Sequence, residues 1–217
     1  MKDNKEIKNY AIVLASGSGI RFNSKETPKH LIDINRVPII IWTLDTIINS
    51  QQFESVIVVT QDSELKKTEH QILRYFDSNK INLLMTSGGV TRMQSFFNGL
   101  SKVLNNFDLN DLDLISLIDS NRPFCLSQQL IDLQNEARIH GCSCPARAVI
   151  DGIAKTHKGQ ITEVPNKENF VEFVTPEFMQ YGFLKKSIKE SNNQEFKSLV
   201  EYSLNISINP YFIQSHE

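Results

Sequence analysis

The chain has 217 residues, of which 40% are hydrophobic and 22% are charged. This length and composition are typical of one globular domain with its own core, and they exclude a disordered or fibrous protein. The 23 Lys and Arg residues against 25 Asp and Glu residues give a net charge of -2. We therefore expect no nucleic-acid partner, because proteins that bind nucleic acid usually carry a basic excess.

The first predicted element is a buried strand at residues 10–15, which ends abruptly in a glycine-rich loop. Helical and extended patterns then alternate along the chain. We predict helices at 37–50, 64–76 and 92–104, and strands at 55–60, 82–86 and 113–118. This alternation predicts a doubly wound α/β fold with a mostly parallel sheet and helices on both faces. Such sheets bind ligands at the carboxyl ends of their strands.

The alternation breaks in the last third of the chain. A helix is predicted at 128–139 and a strand at 143–149. The segment 156–173 combines turn and extended patterns, with Lys158-Gly159 at a hairpin tip, and predicts a β-arm that protrudes from the domain. We find no linker or repeat, so residues 1–217 are expected to form a single domain.

The glycine-rich loop Ser16-Gly17-Ser18-Gly19 is the first candidate for function. Glycines let the backbone approach an anion while successive N–H groups point at its oxygens. The loop matches neither a Walker motif nor G-x-G-x-x-G, since Phe22 stands where a third glycine is needed. Tight packing alone explains such a turn about equally well. Arg21 and Lys29 follow it, and this pair suits a triphosphate, although exposed solvated cations are common.

Several segments occur in an order and at a spacing found in one family. They read LASGSGIR at 14–21, PK at 28–29, GGVTRMQS at 88–95, NGL at 98–100, DSNRPF at 119–124 and TP at 175–176. Together they resemble the cytidylyltransferase family that includes methylerythritol-phosphate and ribitol-5-phosphate cytidylyltransferases. The resemblance implies attack by an acceptor's phosphate oxygen on the α-phosphorus of CTP, with release of pyrophosphate. An ionised phosphate monoester needs no general base for this attack.

On the nucleotide side, the resemblance implies that Arg21 and Lys29 are catalytic and stabilise charge on the phosphates. Ser95 would hydrogen-bond the base or ribose, and Asp119 would bind Mg²⁺, although Asp119 also suits a helix or turn cap. Arg92 is either a nucleotide contact or a tie between the glycine loop and its surroundings. The full implied nucleotide-binding set is Ala15, Ser16, Gly17, Ser18, Gly19, Gly88, Gly89, Arg92, Ser95 and Asp119.

On the acceptor side, the sequence departs from the family pattern. The residues implied to bind the acceptor are Arg122, Asp151 and Lys167, the last of which is also implied to be catalytic. Gly152 stands where the family commonly has Thr, Lys167 replaces an Arg, and Ser207 replaces a Lys. Each lost charge-assisted contact costs about 1.5–3 kcal/mol of binding unless another contact replaces it. The sequence VPNK at 164–167 is closer to the ribitol-phosphate branch and favours ribitol 5-phosphate as acceptor.

Three alternatives stay open beside this interpretation. The acceptor is methylerythritol 4-phosphate, or the chain is a nucleotide-binding homologue with altered or lost acceptor activity, or it is a structural interaction module. The last requires that Arg21, Lys29 and Asp119 coincide by accident. The resemblance also suggests a homodimer in which the arm embraces the neighbouring subunit, and Phe170 and Phe173 on the arm are consistent with burial at an interface.

The cysteines and the apolar runs indicate in which cellular compartment the protein is expected. An odd number of cysteines, at 125, 142 and 144, with no amino-terminal apolar signal segment, predicts a cytoplasmic protein. Cys142 and Cys144 form a C-x-C without the second ligand pair that a zinc site needs. No run reaches the roughly 18 apolar residues that cross a bilayer, so we expect no membrane partner.

Overall fold

A computed structural model describes residues 6–17, 27–77, 82–192 and 194–215. The strands of this part are β1 (Asn9–Leu14), β2 (Asp33–Ile34), β3 (Val37–Pro38), β4 (Ser55–Thr60), β5 (Leu83–Ser87), β6 (Leu114–Asp119), β7 (Cys142–Ala148), β8 (Lys155–His157), β9 (Gln160–Glu163), β10 (Val171–Phe173), β11 (Glu177–Gln180) and β12 (Tyr211–Gln214). The helices are α1 (Ile39–Asn49), α2 (Leu65–Leu73), α3 (Arg92–Leu104), α4 (Ser127–His140), α5 (Tyr181–Glu190) and α6 (Leu199–Asn205).

The centre of the fold is a parallel sheet with strand order β6-β1-β4-β5. β1, β4 and β6 are mostly apolar and buried along nearly their whole length, as expected for strands that are covered on both faces, whereas the edge strand β5 is half-buried. Alternate residues of β1 enter two separate cores. Val13 packs with α1, α2 and α4 on one face, whereas Ile12 packs with α3, α5 and α6 on the other. The predicted doubly wound α/β fold is confirmed.

An antiparallel extension continues this sheet beyond β6. β11 lies between β6 and β7 and is antiparallel to both. β10 is also antiparallel to β7, while β12 pairs with β7 in parallel. α4 is followed by its C-cap Gly141, which has a left-handed conformation, and β7 begins at the next residue.

The segment predicted as an arm divides into two parts. β8 and β9 form a separate antiparallel hairpin, all of whose residues are exposed. Lys158 and Gly159 form its tip, and both have positive φ, at 49° and 80°, as a type I′ turn requires. The later part, β10, joins the main sheet, and the Arg147 and Glu172 side chains form a cross-strand ion pair of 2.7 Å there.

Within the described ranges, no helix combines the length and the apolar character that crossing a lipid bilayer requires.

Helix α3 lies very close to the sheet because residue 99 is glycine. A Cβ at this position would lie 2.5 Å from Ile12 Cγ2 and 3.0 Å from Val59 Cγ2. Both neighbours are buried β-branched residues with restricted rotamers. The close approach fixes where the amino end of α3 meets the loops that follow the strands.

Replacing Gly99 with Val tests this close approach. The added carbons force α3 away from Ile12, so we expect the free energy of unfolding to fall by about 2 kcal/mol or more, as measured by urea denaturation. Gly152→Val is the matched control, because a Cβ at 152 has no neighbour within 4 Å. Equal losses in the two variants would contradict the packing explanation.

Candidate functional site

A cavity of about 620 Å³ lies at the carboxyl ends of the parallel strands. Its lining residues come from the loops after β1, β4, β5 and β6 and from the segment before β2: Leu14, Ala15, Ser16, Gly17, Lys29, His30, Gln61, Gly89, Val90, Thr91, Arg92, Ser95, Asp119, Ser120 and Asn121. Most of the residues predicted to bind the nucleotide thus lie around one cavity. The predicted residues Ser18, Gly19 and Arg21 lie outside the described part of the chain.

Two glycine-containing loops meet at the Ser95 hydroxyl, which is buried with 1% of the residue exposed. Ser95 Oγ accepts hydrogen bonds from Ser16 Oγ at 2.9 Å and Gly89 N at 3.0 Å. It donates to Thr91 O at 3.0 Å. These contacts join the loop after β1 to the loop after β5. The predicted contact between Ser95 and a base or ribose stays a prediction.

Gly88 and Gly89 permit this close meeting of the two loops. A Cβ at Gly88 would lie 2.7 Å from Ser16 Cβ, and one at Gly89 would lie 2.4 Å from Gln94 Cβ. Gln94 belongs to the first turn of α3, whose N-cap Thr91 accepts a hydrogen bond from Gln94 N. The glycines therefore let the backbone form the cavity wall at the amino end of a helix, a position that favours anions.

A network of charges surrounds Asp119 at the end of β6. Arg92 Nη2 lies 3.3 Å from Asp119 Oδ1 and 3.5 Å from Glu177 Oε1. Arg92 Nη1 donates to Lys197 O at 2.8 Å. The Thr175 hydroxyl donates to Asp119 Oδ2 at 3.1 Å. Arg92 thus links the amino end of α3 to two carboxylates and to the segment before α6.

Glu177 is almost completely buried beside this arginine, with 2% of its side chain exposed. Burial raises the pKa of Glu177 to about 7, while the positive charge of Arg92 and a backbone hydrogen bond from Val200 act against the rise. No signal in the sequence singled out Glu177, because this residue follows the TP segment without any motif of its own.

Arg122 is held next to the same network. Its backbone N–H donates to Thr43 Oγ1 at 3.1 Å, and its Nε donates to Thr175 Oγ1 at 3.2 Å. The Thr43 hydroxyl in turn donates to Ser120 O at 3.0 Å. Arg122 and Asp119 therefore share the Thr175 hydroxyl, although Arg122 does not line the cavity itself.

Asp151 and Lys167 lie apart from the cavity-lining residues. Asp151 is exposed in the loop before β8. Lys167 begins a short 3₁₀ helix, Lys167–Asn169, and its Nζ donates to Ile150 O at 2.7 Å. The described chain thus brings these two predicted acceptor-binding residues near each other through Ile150, and it does not bring them into the cavity wall.

His30 is a cavity residue that the sequence did not single out. It lies in the 3₁₀ helix Lys29–Leu31, directly after the half-buried Lys29. The His30 ring shares a hydrogen bond of 2.9 Å with Thr68 Oγ1, and its Nδ1 has no partner within the described structure. Burial, aided by the charge of Lys67, lowers the pKa of His30 to about 4. The imidazole is therefore neutral at pH 7 and adds no positive charge to the cavity.

Asp119 is the carboxylate that could hold a metal ion in this cavity. Each of its oxygens makes one contact in the described structure and keeps further acceptor capacity. Mg²⁺ is usually bound by one or two carboxylates together with substrate phosphates. The Asp119 carboxylate beside a cavity of this size fits such an ion. The described residues contain no cluster of three or more His, Cys, Asp or Glu that could hold a metal alone.

Comparisons with known proteins agree on one family. The model of IspD, 2-C-methyl-D-erythritol 4-phosphate cytidylyltransferase, matches residues 10–205. A ribitol-5-phosphate cytidylyltransferase from Lactiplantibacillus plantarum is 25% identical over 196 residues, which cover 88% of this chain and 81% of that protein. A 2-C-methyl-D-erythritol 4-phosphate cytidylyltransferase from Clostridium perfringens is 27% identical over 191 residues, with the same two coverages of 88% and 81%.

A solved structure shows the same fold. The 4-diphosphocytidyl-2C-methyl-D-erythritol synthase from Anaerococcus prevotii has a TM-score of 0.78 to this chain at 18% identity. The similarity covers 97% of this chain and 90% of that structure.

The buried His30 predicts a pH dependence of stability. In the unfolded chain its pKa has the ordinary value of 6.5, against about 4 in the fold. The stability contributed by the neutral ring is thus present above pH 6.5 and lost as the pH falls towards 4. Between pH 7.5 and 4.5, the free energy of unfolding of His30→Gln should fall by roughly 2 kcal/mol less than that of the wild type. Chemical denaturation at the two pH values measures this difference.

The control for this experiment is His70→Gln, because His70 is exposed on α2. This variant should follow the wild-type pH dependence. Glu177 contributes in the opposite direction, since its raised pKa makes its contribution fall as the pH rises from 4.5 to 7. That contribution is common to all three proteins and cancels. Parallel curves for His30→Gln and the wild type would contradict the assignment.

Proposed function

The chain belongs to the 2-C-methyl-D-erythritol 4-phosphate cytidylyltransferase family, and from this premise we propose that it joins CMP from CTP to a polyol phosphate, with ribitol 5-phosphate favoured. The products are a CDP-alcohol and pyrophosphate. The observation that carries the proposal is the cavity at the carboxyl ends of the strands, where the glycine loops, Lys29 and Asp119 meet. Members of the family are nucleotidyltransferases, so the chain is an enzyme of that class.

In this proposal, CTP lies with its base against the backbone of Gly88 and Gly89. The N–H groups at the amino end of α3 and the cavity residues Ser16 and Gly17 then face its polar groups. Lys29 supplies a positive charge at the phosphates, as does Arg21. Positive charge at these positions stabilises the negative charge that develops in the transition state.

Mg²⁺ is part of the proposal, with Asp119 as its protein ligand. Bound there, Mg²⁺ would neutralise charge on the phosphate oxygens of CTP. Asp119 is held for this role by the Thr175 hydroxyl, while Thr175 also accepts the Nε–H of Arg122. The same threonine thus fixes the carboxylate proposed for the metal and the arginine proposed for the acceptor.

The attacking group needs little chemical help from the protein. The second pKa of a phosphate monoester is about 6, so the acceptor phosphate is already largely ionised near neutral pH. The protein's task is therefore to align this phosphate with the α-phosphorus and to neutralise charge. The neutral His30 is consistent with a site that relies on positioning instead of proton transfer.

The preference for ribitol 5-phosphate rests on the arm. The residues at 164–167 are similar to the ribitol-phosphate branch of the family, and one of the matching relatives is named for that acceptor. Methylerythritol 4-phosphate is the alternative acceptor, since another matching relative is named for it. A homologue with altered or lost acceptor activity is a further alternative, because Gly152 and Ser207 stand where polar or charged contacts are expected.

A homodimer completes the proposal, with Lys167 reaching the acceptor of the neighbouring subunit. The supporting observation is that apolar side chains of the arm are exposed in the single chain: Ile161, Val164, Phe170, Val171 and Phe173. Exposed apolar groups on one segment indicate a surface that is covered in an assembly. Sedimentation of the purified protein tests this, and a monomer at all micromolar concentrations would exclude the dimer.

The proposed reaction is tested by pyrophosphate release. Purified protein is incubated with CTP and Mg²⁺ and with one acceptor at a time, from a panel that contains ribitol 5-phosphate and methylerythritol 4-phosphate. We expect the highest kcat/KM with ribitol 5-phosphate. A higher kcat/KM with methylerythritol 4-phosphate would identify that compound as the preferred acceptor. CTP binding without product from any acceptor would support a nucleotide-binding homologue that has lost acceptor activity.

Asp119→Asn tests the carboxylate proposed to hold Mg²⁺. Removing the charge while keeping the shape should lower kcat about 100-fold or more, because a metal at this site supplies several kcal/mol of charge stabilisation. Asp108→Asn is the control, since Asp108 is exposed in the loop between α3 and β6, at the opposite end of β6. Initial rates at saturating CTP give kcat for the wild type and both variants. A wild-type rate for Asp119→Asn would show that Asp119 has no part in the mechanism.

A further inference from the structure

We propose that Glu177 is a positioning residue that balances the charge of Arg92 and so leaves the Asp119 carboxylate available to a divalent cation. The proposal rests on the proposed function, since it takes Asp119 as the protein ligand of Mg²⁺. It concerns a carboxylate that has no contact with the cavity and acts through a neighbouring side chain.

Glu177 is fixed in one position by its surroundings. It is the first residue of β11, which is inserted antiparallel beside β6. Its Oε2 accepts a hydrogen bond from Val200 N at 3.2 Å, in the first turn of α6. Its Oε1 lies 3.5 Å from Arg92 Nη2. A buried carboxylate with these two contacts cannot turn away to solvent, so its charge acts on Arg92.

Arg92 is held between two carboxylates in turn. The same Nη2 atom faces Asp119 Oδ1 at 3.3 Å and Glu177 Oε1 at 3.5 Å. The other terminal nitrogen, Nη1, is directed to Lys197 O at 2.8 Å. The Arg92 guanidinium therefore pairs with the carboxylates of both Asp119 and Glu177. When Glu177 is ionised, the three groups carry a net charge of -1, and this charge lies at the cavity wall where Asp119 is accessible.

Loss of the Glu177 charge changes what a cation meets at Asp119. Arg92 and Asp119 alone form a neutral pair, and a partly buried pair of this kind is not strongly screened by salt. A divalent cation must then compete with the guanidinium for the carboxylate. Charges that lie about 3 to 4 Å apart in a partly buried site interact strongly. We therefore expect the unbalanced positive charge of Arg92 to weaken cation binding at Asp119.

Glu177→Gln separates this role from a merely structural one. The amide keeps the shape of the side chain and an oxygen that can accept from Val200 N, but it removes the charge. CTP affinity is measured by calorimetry at pH 8.5, above the pKa of Glu177, once with EDTA and once across a series of Mg²⁺ concentrations. Glu54→Gln is the matched control, because Glu54 pairs with Lys8 at 3.0 Å at the amino ends of the strands.

The charge-balancing role predicts weaker binding of Mg²⁺ without weaker binding of CTP alone. In EDTA, Glu177→Gln should bind CTP as tightly as the wild type or more tightly, since a negative charge near the phosphates is gone. The Mg²⁺ concentration that gives half of the full affinity gain should rise about 3-fold to 10-fold. Glu54→Gln should match the wild type in both conditions. An unchanged Mg²⁺ dependence, or equal weakening with and without Mg²⁺, would overturn the proposal.

A double variant keeps the test decisive if Glu177→Gln does not fold. Glu177→Gln with Arg92→Gln removes both charges and restores a net charge of -1 on Asp119 alone. Its half-maximal Mg²⁺ concentration should return to within about 2-fold of the wild type, whereas a several-fold lower concentration would show that Glu177 does not balance Arg92. If CTP binding by the wild-type protein does not depend on Mg²⁺, the proposed role of Glu177 is wrong. This result is independent of pyrophosphate release, which tests the proposed reaction.

Discussion

The parallel register of three strands brings the loops of the candidate site to one edge of the sheet. Leu14, the last residue of β1, lies opposite Val59 of β4 on one side and Asp119 of β6 on the other. The loops that follow these strands therefore emerge at the same edge. Because helices cover both faces of the sheet, this edge is where backbone N–H groups, a carboxylate and a lysine can meet around one ligand.

Local contacts convert this edge into a defined cavity. The buried Ser95 hydroxyl ties the loop after β1 to the loop after β5, and Gly88 lets the two backbones approach. On the other side, Thr175 and Arg92 fix the Asp119 carboxylate. The proposed chemistry uses this rigidity, since aligning two phosphates and neutralising their charge depends on fixed positions more than on proton transfer.

The sequence predicted the parallel core and the family well, because both depend on strong local patterns. The predicted strand 55–60 and helix 92–104 coincide with β4 and α3, which β-branched residues and a helical pattern indicated. The Thr91 N-cap of α3 was recognised only in the structure. The helix predicted from 37 begins at Ile39, since Val37–Pro38 pairs with β2 instead. The pairing of β12 with β7 joins distant segments, and no local pattern indicates it. Glu177 was missed for the same reason, because its contact with Arg92 exists only once β11 lies beside β6. The roles of Ser18, Gly19 and Arg21 stay predictions.

A crystal structure of the protein with CTP and Mg²⁺ tests the proposed nucleotide site most directly. We expect the cytosine beside the Gly88-Gly89 backbone, the triphosphate next to Lys29, and the metal ion bound to Asp119. CTP bound at another place, or Lys29 and Asp119 directed away from its phosphates, would contradict the proposed site.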